Sequence, residues 1–214
     1  MKTEYHERKP YGSICSSTSK VTLAGENSRE LEEGSGISPY VVAARGYWTA
    51  SRRSEVPATF SGWQRVAGLV IPTHSPAPDA GGYQLKPRKP IPRKGKKGPK
   101  YETPTNAPVT LDANPLMLEE VRRGFSELWI TEGCKKVDAL ASRGIPAVGL
   151  TGVEMFAESG TKGKTPLSCW RHVRLGGRPV VVVYDADART NTDVQRALGR
   201  LVAMLEARAL SEYL

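Results

Sequence analysis

Three acidic residues stand where apolar runs end. Glu132 closes the run Leu128-Trp129-Ile130-Thr131, and Asp185 and Asp187 follow Val180-Val181-Val182-Val183-Tyr184. Each run is short, and each precedes a stretch of helical periodicity: Val137, Leu140 and Ala141 after the first; Val194, Leu198, Leu201, Val202 and Leu205 after the second. Apolar runs without polar alternation predict strands of a parallel sheet buried on both faces. Ligands of such sheets sit beyond the carboxyl ends of the strands, so the three carboxylates are expected in one crevice. Two like charges about 4 Å apart repel by roughly 4 kcal/mol at an effective dielectric of 20, so a cluster of three calls for a cation. Hard oxygen donors suit Mg²⁺ or Mn²⁺, which would clamp a phosphate. Capping of the following helix is the plain alternative for either aspartate, and it is less able to explain two of them together with a glutamate at another strand end.

The elements that must position these groups follow from capping and breaking residues. Ser38-Pro39 is an N-cap and first-turn pair that opens a helix over 40–45, stopped by Gly46; a shorter helix covers 28–33. Residues 63–71 suit a strand ending at Pro72, with a hairpin partner over 82–85 across a Pro/Gly-rich loop. Asn114-Pro115 starts another helix, which Gly124 terminates. Strand 127–131, helix 134–143, strand 145–150, helix 166–173 and strand 180–184 come next, ahead of the last amphipathic run. Strands alternating with helices imply parallel βαβ units. The predicted fold class is therefore α/β, a parallel sheet with flanking helices over 114–214, preceded by a small basic α+β subdomain over 27–113 and a flexible tail over 1–26.

A chain of 214 residues, 39% of them hydrophobic, can hold one good core and a smaller appended unit. No apolar run approaches the roughly 20 residues needed to cross a bilayer, and no apolar segment follows the charged N-terminus. A cytoplasmic protein without membrane association is expected. Cys15, Cys134 and Cys169 form no CxxC pair, which argues against a zinc ribbon and a disulfide framework alike. The net charge of +9 favours a polyanionic partner. Lys86, Arg88, Lys89, Arg93, Lys94, Lys96, Lys97 and Lys100 fall in one 15-residue window without an acid, flanked by Tyr83 and Tyr101. A charge run is usually a solvated loop; beside a site for anions, phosphate contact is the better reading.

Ile130-Thr131-Glu132-Gly133 and Val183-Tyr184-Asp185-Ala186-Asp187, each followed by a helix, resemble the glutamate and Asp-x-Asp motifs of the Toprim domain, which bacterial primases, topoisomerases and some nucleases share. Arg65 to Pro72, Gly82 to Leu85 and Gly98-Pro99-Lys100-Tyr101-Glu102-Thr103-Pro104 resemble the basic subdomain that precedes Toprim in bacterial-type primases. Ser35-Gly36-Ile37-Ser38 and Ala44-Arg45-Gly46-Tyr47 are similar to segments of Toprim-like replication proteins of phages and plasmids. The resemblance covers most of residues 35–205 and rests on the order and spacing of the motifs. It implies a DNA primase-type nucleotidyltransferase, acting with nucleoside triphosphates on single-stranded DNA in the replication of a phage, plasmid or mobile element. On that reading Asp185 and Asp187 hold the metal, and Glu132 is a further ligand or the general base. Lys86, Arg88, Lys94, Lys96, Lys97, Lys100 and Tyr101 hold template or triphosphate. A replicative helicase would be a partner, because neither a helicase nor a zinc-binding module is evident. A non-catalytic nucleic-acid-binding Toprim remnant and a Toprim nuclease are the competing readings.

Three departures from the primase pattern carry expectations of their own. Lys136 stands where primases carry an aspartate, and the nearest aspartate is Asp138, so Lys135 and Lys136 become candidate phosphate contacts. Ala188-Arg189-Thr190-Asn191 replaces the usual Ala-Gly after the Asp-x-Asp motif. The chain ends at Leu214, soon after the following helix, so a catalytic domain shortened at its C-terminal end is expected. Gly160-Thr161-Lys162-Gly163-Lys164-Thr165 looks like a phosphate loop, but its first glycine would fall at Glu158 and Pro166 follows at once, which predicts a mobile basic loop. Tyr184 reads as core or crevice wall, and Trp48 is the one tryptophan expected to serve base stacking.

Overall fold

Alternation along one strand organises the first half of the chain. The computed structural model describes residues 22–93, 95–160, 163–185 and 190–211. Strands β1 (Trp48–Ala50), β2 (Gly68–His74) and β3 (Gly81–Pro87) form an antiparallel sheet in that order, with Val70 opposite both Trp48 and Leu85. Leu69 and Ile71 point into a core shared with Leu31 of helix α1 (Gly25–Glu32) and Val41 and Val42 of helix α2 (Pro39–Arg45); Val70 points the other way, towards Ala50, Val56, Phe60 and Leu85. The sequence expectation of a strand over 63–71 is thus displaced. Residues 63–67 lie outside any strand, and β2 runs on through Pro72 to His74. Strand β1 escaped the sequence reading because three residues carry no readable period. The expected tail, 1–26, also needs correction at its end: Thr49 N–H donates to the Thr22 carbonyl at 3.1 Å and α1 begins at Gly25. Residues 1–21, Cys15 among them, lie outside the described part.

The second half is built on parallel strands, as the apolar runs predict. After a 3-10 turn at Pro115–Met117, capped by Asn114 accepting from Leu116 N–H at 3.0 Å, come helix α3 (Leu118–Arg123), strand β4 (Leu128–Glu132), helix α4 (Cys134–Ala141) and strand β5 (Ala147–Leu150). A hairpin of β6 (Ala157–Gly160) and β7 (Gly163–Pro166) precedes strand β8 (Val180–Val183) and the 20-residue helix α5 (Thr192–Ser211). The sheet order is β5-β4-β8, all parallel. Leu128, Ile130, Val148 and Leu150 meet Leu201 and Leu205 of α5 and the fully buried Trp170 in one core.

Three expectations fail here. Strand β8 is not buried on both faces: Val180 and Val182 pack on the core, while Val183 is 38% exposed, because β8 lies at the edge of the described sheet. The mobile loop over 160–165 is the β6–β7 hairpin, with Thr161 and Lys162 outside the described residues. The helix predicted over 166–173 is a 3-10 turn, Ser168–His172, pinned where Trp170 Nε1 donates to the Phe156 carbonyl at 2.9 Å. Among the described residues no helix is long and apolar enough to cross a membrane.

A buried ion cluster joins the two sheets. Arg45, in the last turn of α2, has a fully buried guanidinium. Its Nη2 lies 2.6 Å from Asp138 Oδ1 of α4, and its Nη1 lies 2.6 Å from Asp112 Oδ1. Tyr47 Oη and Asn114 Nδ2 donate to the Asp138 carboxylate at 2.6 and 2.7 Å, and His74 N–H donates to Asp112 at 2.9 Å. The Asp112 backbone in turn pairs with Gly149 of β5, where any side chain would strike Val137. Burial opposes the charge on Arg45, and the two carboxylates outweigh it, raising its pKa well above the ordinary value.

Replacing Arg45 with methionine leaves two buried carboxylates uncompensated and is expected to destabilise the fold by about 3–5 kcal/mol, read from urea unfolding. A pH effect follows from His74, whose pKa is lowered by burial and then by the Arg45 charge. Its unfolded form binds the proton more readily, so stability is full above the ordinary value of 6.5 and falls as pH drops from there through the lower folded value. Unfolding curves between pH 7 and 5 should show that loss in the wild type, and a smaller one in His74→Gln.

Candidate functional site

Beyond the carboxyl ends of the parallel strands lies a cleft of about 330 Å³. Glu132, Gly133, Lys135 and Lys136 reach it from the β4–α4 junction, Thr151 from the end of β5 and Asp185 from two residues past β8. Lys100 and Tyr101 close it from the basic segment, with Ile71 and Gln84 of the first sheet behind them. Gly133 makes the junction with φ of 86°, a conformation that side-chain-bearing residues rarely adopt, and its N–H donates to the Leu150 carbonyl at 2.9 Å. That turn leaves Glu132 at the cleft and starts α4 one residue later.

The electrostatics of the cleft are mixed. Lys136 Nζ sits 2.5 Å from Asp185 Oδ1, with both side chains substantially exposed. Lys135 Nζ lies 2.6 Å from Glu30 Oε1, and Lys86 pairs with the other oxygen of the same carboxylate. Burial raises the Glu30 pKa, but the two ammonium groups outweigh it and hold the carboxyl below its ordinary value. The Lys100 ammonium stands 5.6 Å from the centre of the Tyr101 ring. Burial, then the Glu30 carboxylate, pushes the Tyr101 phenol up to about 12, so at neutral pH it keeps its proton. Tyr184 packs half-buried against the core, as the crevice-wall reading expected; burial, with Glu132 and Glu154 nearby, takes its pKa to about 12 as well.

The cleft thus gathers Glu132, Asp185, Lys100, Tyr101, Lys135 and Lys136 out of the residues singled out by sequence. Asp187 and Lys94 lie outside the described residues. The rest of the basic window stands apart from the cleft. Arg88 pairs with Glu26 at 2.8 Å and Arg93 pairs with Glu102, so acids outside the window neutralise part of it. Lys96 and Lys97 are exposed and make no ion pair with a described residue. Asp138, the aspartate nearest to the primase position, is fully buried in the Arg45 cluster and turned to structural use. Trp48 is no stacking platform: its Nε1 donates to the Glu55 carbonyl and its ring packs edge-on against Tyr83. Trp63 is the exposed one, 51% accessible, with the Arg93 guanidinium 5.0 Å from its ring centre. Sequence missed it because its neighbours look like a strand.

Among the described residues no three His, Cys, Asp or Glu side chains are grouped to hold a metal ion. Two carboxylates facing one open cleft nevertheless fit a hard divalent cation, since Mg²⁺ is held by one or two carboxylates and completes its shell with water and phosphate.

Comparison with known proteins adds to this picture. A family model described as a domain of unknown function, DUF3854, matches residues 124–212, which is less than half of the chain. Curated proteins give no match. Among solved structures, the chain is similar to the crystal structure of the Aquifex aeolicus primase comprising its zinc binding and RNA polymerase domains, with a TM-score of 0.52 and 16% identity. The likeness takes in 87% of this chain and 48% of that one. The chain therefore has a primase-like α/β fold and spans about half the length of that primase.

Proposed function

We propose that this chain is a primase-like nucleotidyltransferase module that extends a primer on single-stranded DNA from nucleoside triphosphates, with Glu132, Asp185 and Asp187 as a Toprim-type acidic site. The observation that carries the reading is the meeting of Glu132 and Asp185 with Lys100, Lys135 and Lys136 in one cleft at the carboxyl ends of parallel strands, within a primase-like fold. The three carboxylates are the groups for a divalent cation, Mg²⁺ or Mn²⁺. When bound, it would supply charge neutralisation at the triphosphate and activation of the attacking hydroxyl. Lys100, Lys135 and Lys136 orient the phosphates, and the protonated Tyr101 hydroxyl offers a hydrogen bond rather than a charge. Lys96 and Lys97, exposed on the same segment as Lys100 but outside the cleft, add positive charge for the template strand. Unwinding is left to a partner helicase, and the setting is cytoplasmic replication of a phage, plasmid or mobile element.

A second reading has one observation in its favour. Lys136 stands in the acidic site and already neutralises Asp185, which suits a nucleic-acid-binding relative without catalysis. Extension of a primer with labelled ribonucleotides on single-stranded DNA separates the two. Metal-dependent product is expected from the wild type, reduced at least about 10²-fold in Glu132→Gln and in Asp185→Asn. DNA binding without product at any metal concentration favours the second reading, and a shortened template indicates a nuclease using the same carboxylates.

The basic segment gives an independent prediction. Joint replacement of Lys96, Lys97 and Lys100 by alanine should weaken single-strand binding and reduce the slope of log affinity against log salt by about two, given roughly 0.7 per phosphate contact. Lys86→Ala should change that slope less, since its ammonium is already held by Glu30.

A further inference from the structure

A second charged cleft lies at the opposite end of the parallel sheet. Arg122 and Arg123 in the last turn of α3, Arg171, Arg174, and Arg208 in the last turn of α5 line a cavity of about 690 Å³ together with Phe125. Phe125 precedes β4 and Arg174 precedes β8, so the cleft sits at the amino ends of the strands whose carboxyl ends carry Glu132 and Asp185. A five-residue strand at about 3.3 Å per residue sets the two sites roughly 15 Å apart.

Among the described residues, no acid lines this cleft. Glu119 lies beside it, shared by Arg122 at 3.4 Å and Arg123 at 3.8 Å, and its side chain is mostly in solvent. Among the described residues, Arg171, Arg174 and Arg208 make no ion pair, and the buried Arg208 Nε meets no hydrogen-bond partner. Phe125 is 63% exposed, and the Arg174 guanidinium lies 3.8 Å from its ring centre, close enough to hold the ring in place. Five guanidinium groups around an open space demand anions, and their planar forks match phosphate and carboxylate alike. The exposed ring decides between these. An unpaired base stacks on such a ring, and a single strand presents base faces in a row beside phosphates that the surrounding guanidinium groups can meet together.

We propose that this cleft is a second nucleic-acid site, which grips a single strand by its phosphates through Arg122, Arg123, Arg171 and Arg208 while a base stacks on Phe125. It is separate from the acidic cleft and does not rest on catalysis there.

The test uses the full chain and a fluorescent 20-mer of oligothymidylate, with affinity measured across a salt series, and a second 20-mer carrying 5-iodouracil for photo-cross-linking. Arg171→Ala/Arg208→Ala should bind more weakly and reduce the salt slope by roughly one to two, and Phe125→Ala should bind roughly tenfold more weakly with the slope little changed. Thermal unfolding of each variant checks that the fold is kept. Cross-links should map to Phe125 and persist when Lys96, Lys97 and Lys100 are replaced. Unchanged affinity and slope in the folded variants, or cross-links confined to residues 86–101, would overturn the proposal, as would equal competition by a free nucleoside triphosphate. A protein that makes no primer yet cross-links at Phe125 keeps this inference while losing the catalytic one.

Discussion

Arg45 is the residue on which the architecture turns. Its guanidinium reaches from α2 to Asp138 on α4 and to Asp112 in the connection between the two sheets, and all three groups are buried. Charges in such a place are stabilising only as a set, because the desolvation of each is offset by its partners and by the hydrogen bonds that fill their remaining lone pairs. Tyr47, Asn114 and His74 donate to the carboxylates, and the Pro72 carbonyl accepts from Arg45 Nη1. An apolar contact would tolerate sliding, whereas this cluster defines one arrangement of the first sheet against α4. The acidic cleft draws Ile71, Gln84, Lys100 and Tyr101 from one side of that joint and Glu132, Lys136 and Asp185 from the other, so its shape depends on the joint.

This use of Asp138 explains part of the chemistry available at the cleft. Asp138 lies on the buried face of α4, turned towards Arg45 and away from solvent, whereas Lys135 and Lys136 on the preceding turn reach Glu30 and Asp185. The helix thus carries its acid inward for stability and its cations outward towards the site. Positive groups line the cleft beside two carboxylates, an arrangement suited to a polyanion that arrives with its own demand for countercharge.

Much of this was legible in sequence where one cause dominated. The runs ending in Glu132 and Asp185 had to be strands, and Ser38-Pro39 and Asn114-Pro115 had to open helical turns; both caps accept hydrogen bonds as expected. Tertiary context decided the rest. Arg45, in the last turn of a short helix, has the look of a surface residue favoured by the helix dipole, and only the fold shows it to be buried. The four valines of β8 signal a fully buried strand, yet composition cannot say whether a strand lies at an edge. The basic window appears free of acids until folding brings Glu26, Glu30 and Glu102 to it. The arginine cleft, drawn from residues between 122 and 208, has no sequence signature at all.

The division of charge between the two ends of the parallel sheet has a common origin in topology. Strands β4 and β8 each lead towards the start of the next helix, so their carboxyl ends face helix N-termini, while α3 and α4 finish ahead of the amino ends of β4 and β5. Unpaired N–H groups at a helix start favour anions, and unpaired carbonyls at a helix end favour cations. Glu132 stands just ahead of α4, and Asp193 lies in the first turn of α5. At the other end Arg122 and Arg123 close α3, Arg208 closes α5, and Arg178 donates to the Glu120 and Ser126 carbonyls where α3 runs out. Glu132, Asp193 and these arginines therefore lie where the backbone already favours them, whereas Lys135 and Lys136 in the first turn of α4 stand against that preference and pair with Glu30 and Asp185. Placing carboxylates at the amino ends, or arginines at the carboxyl ends, would work against the helices that hold the sheet.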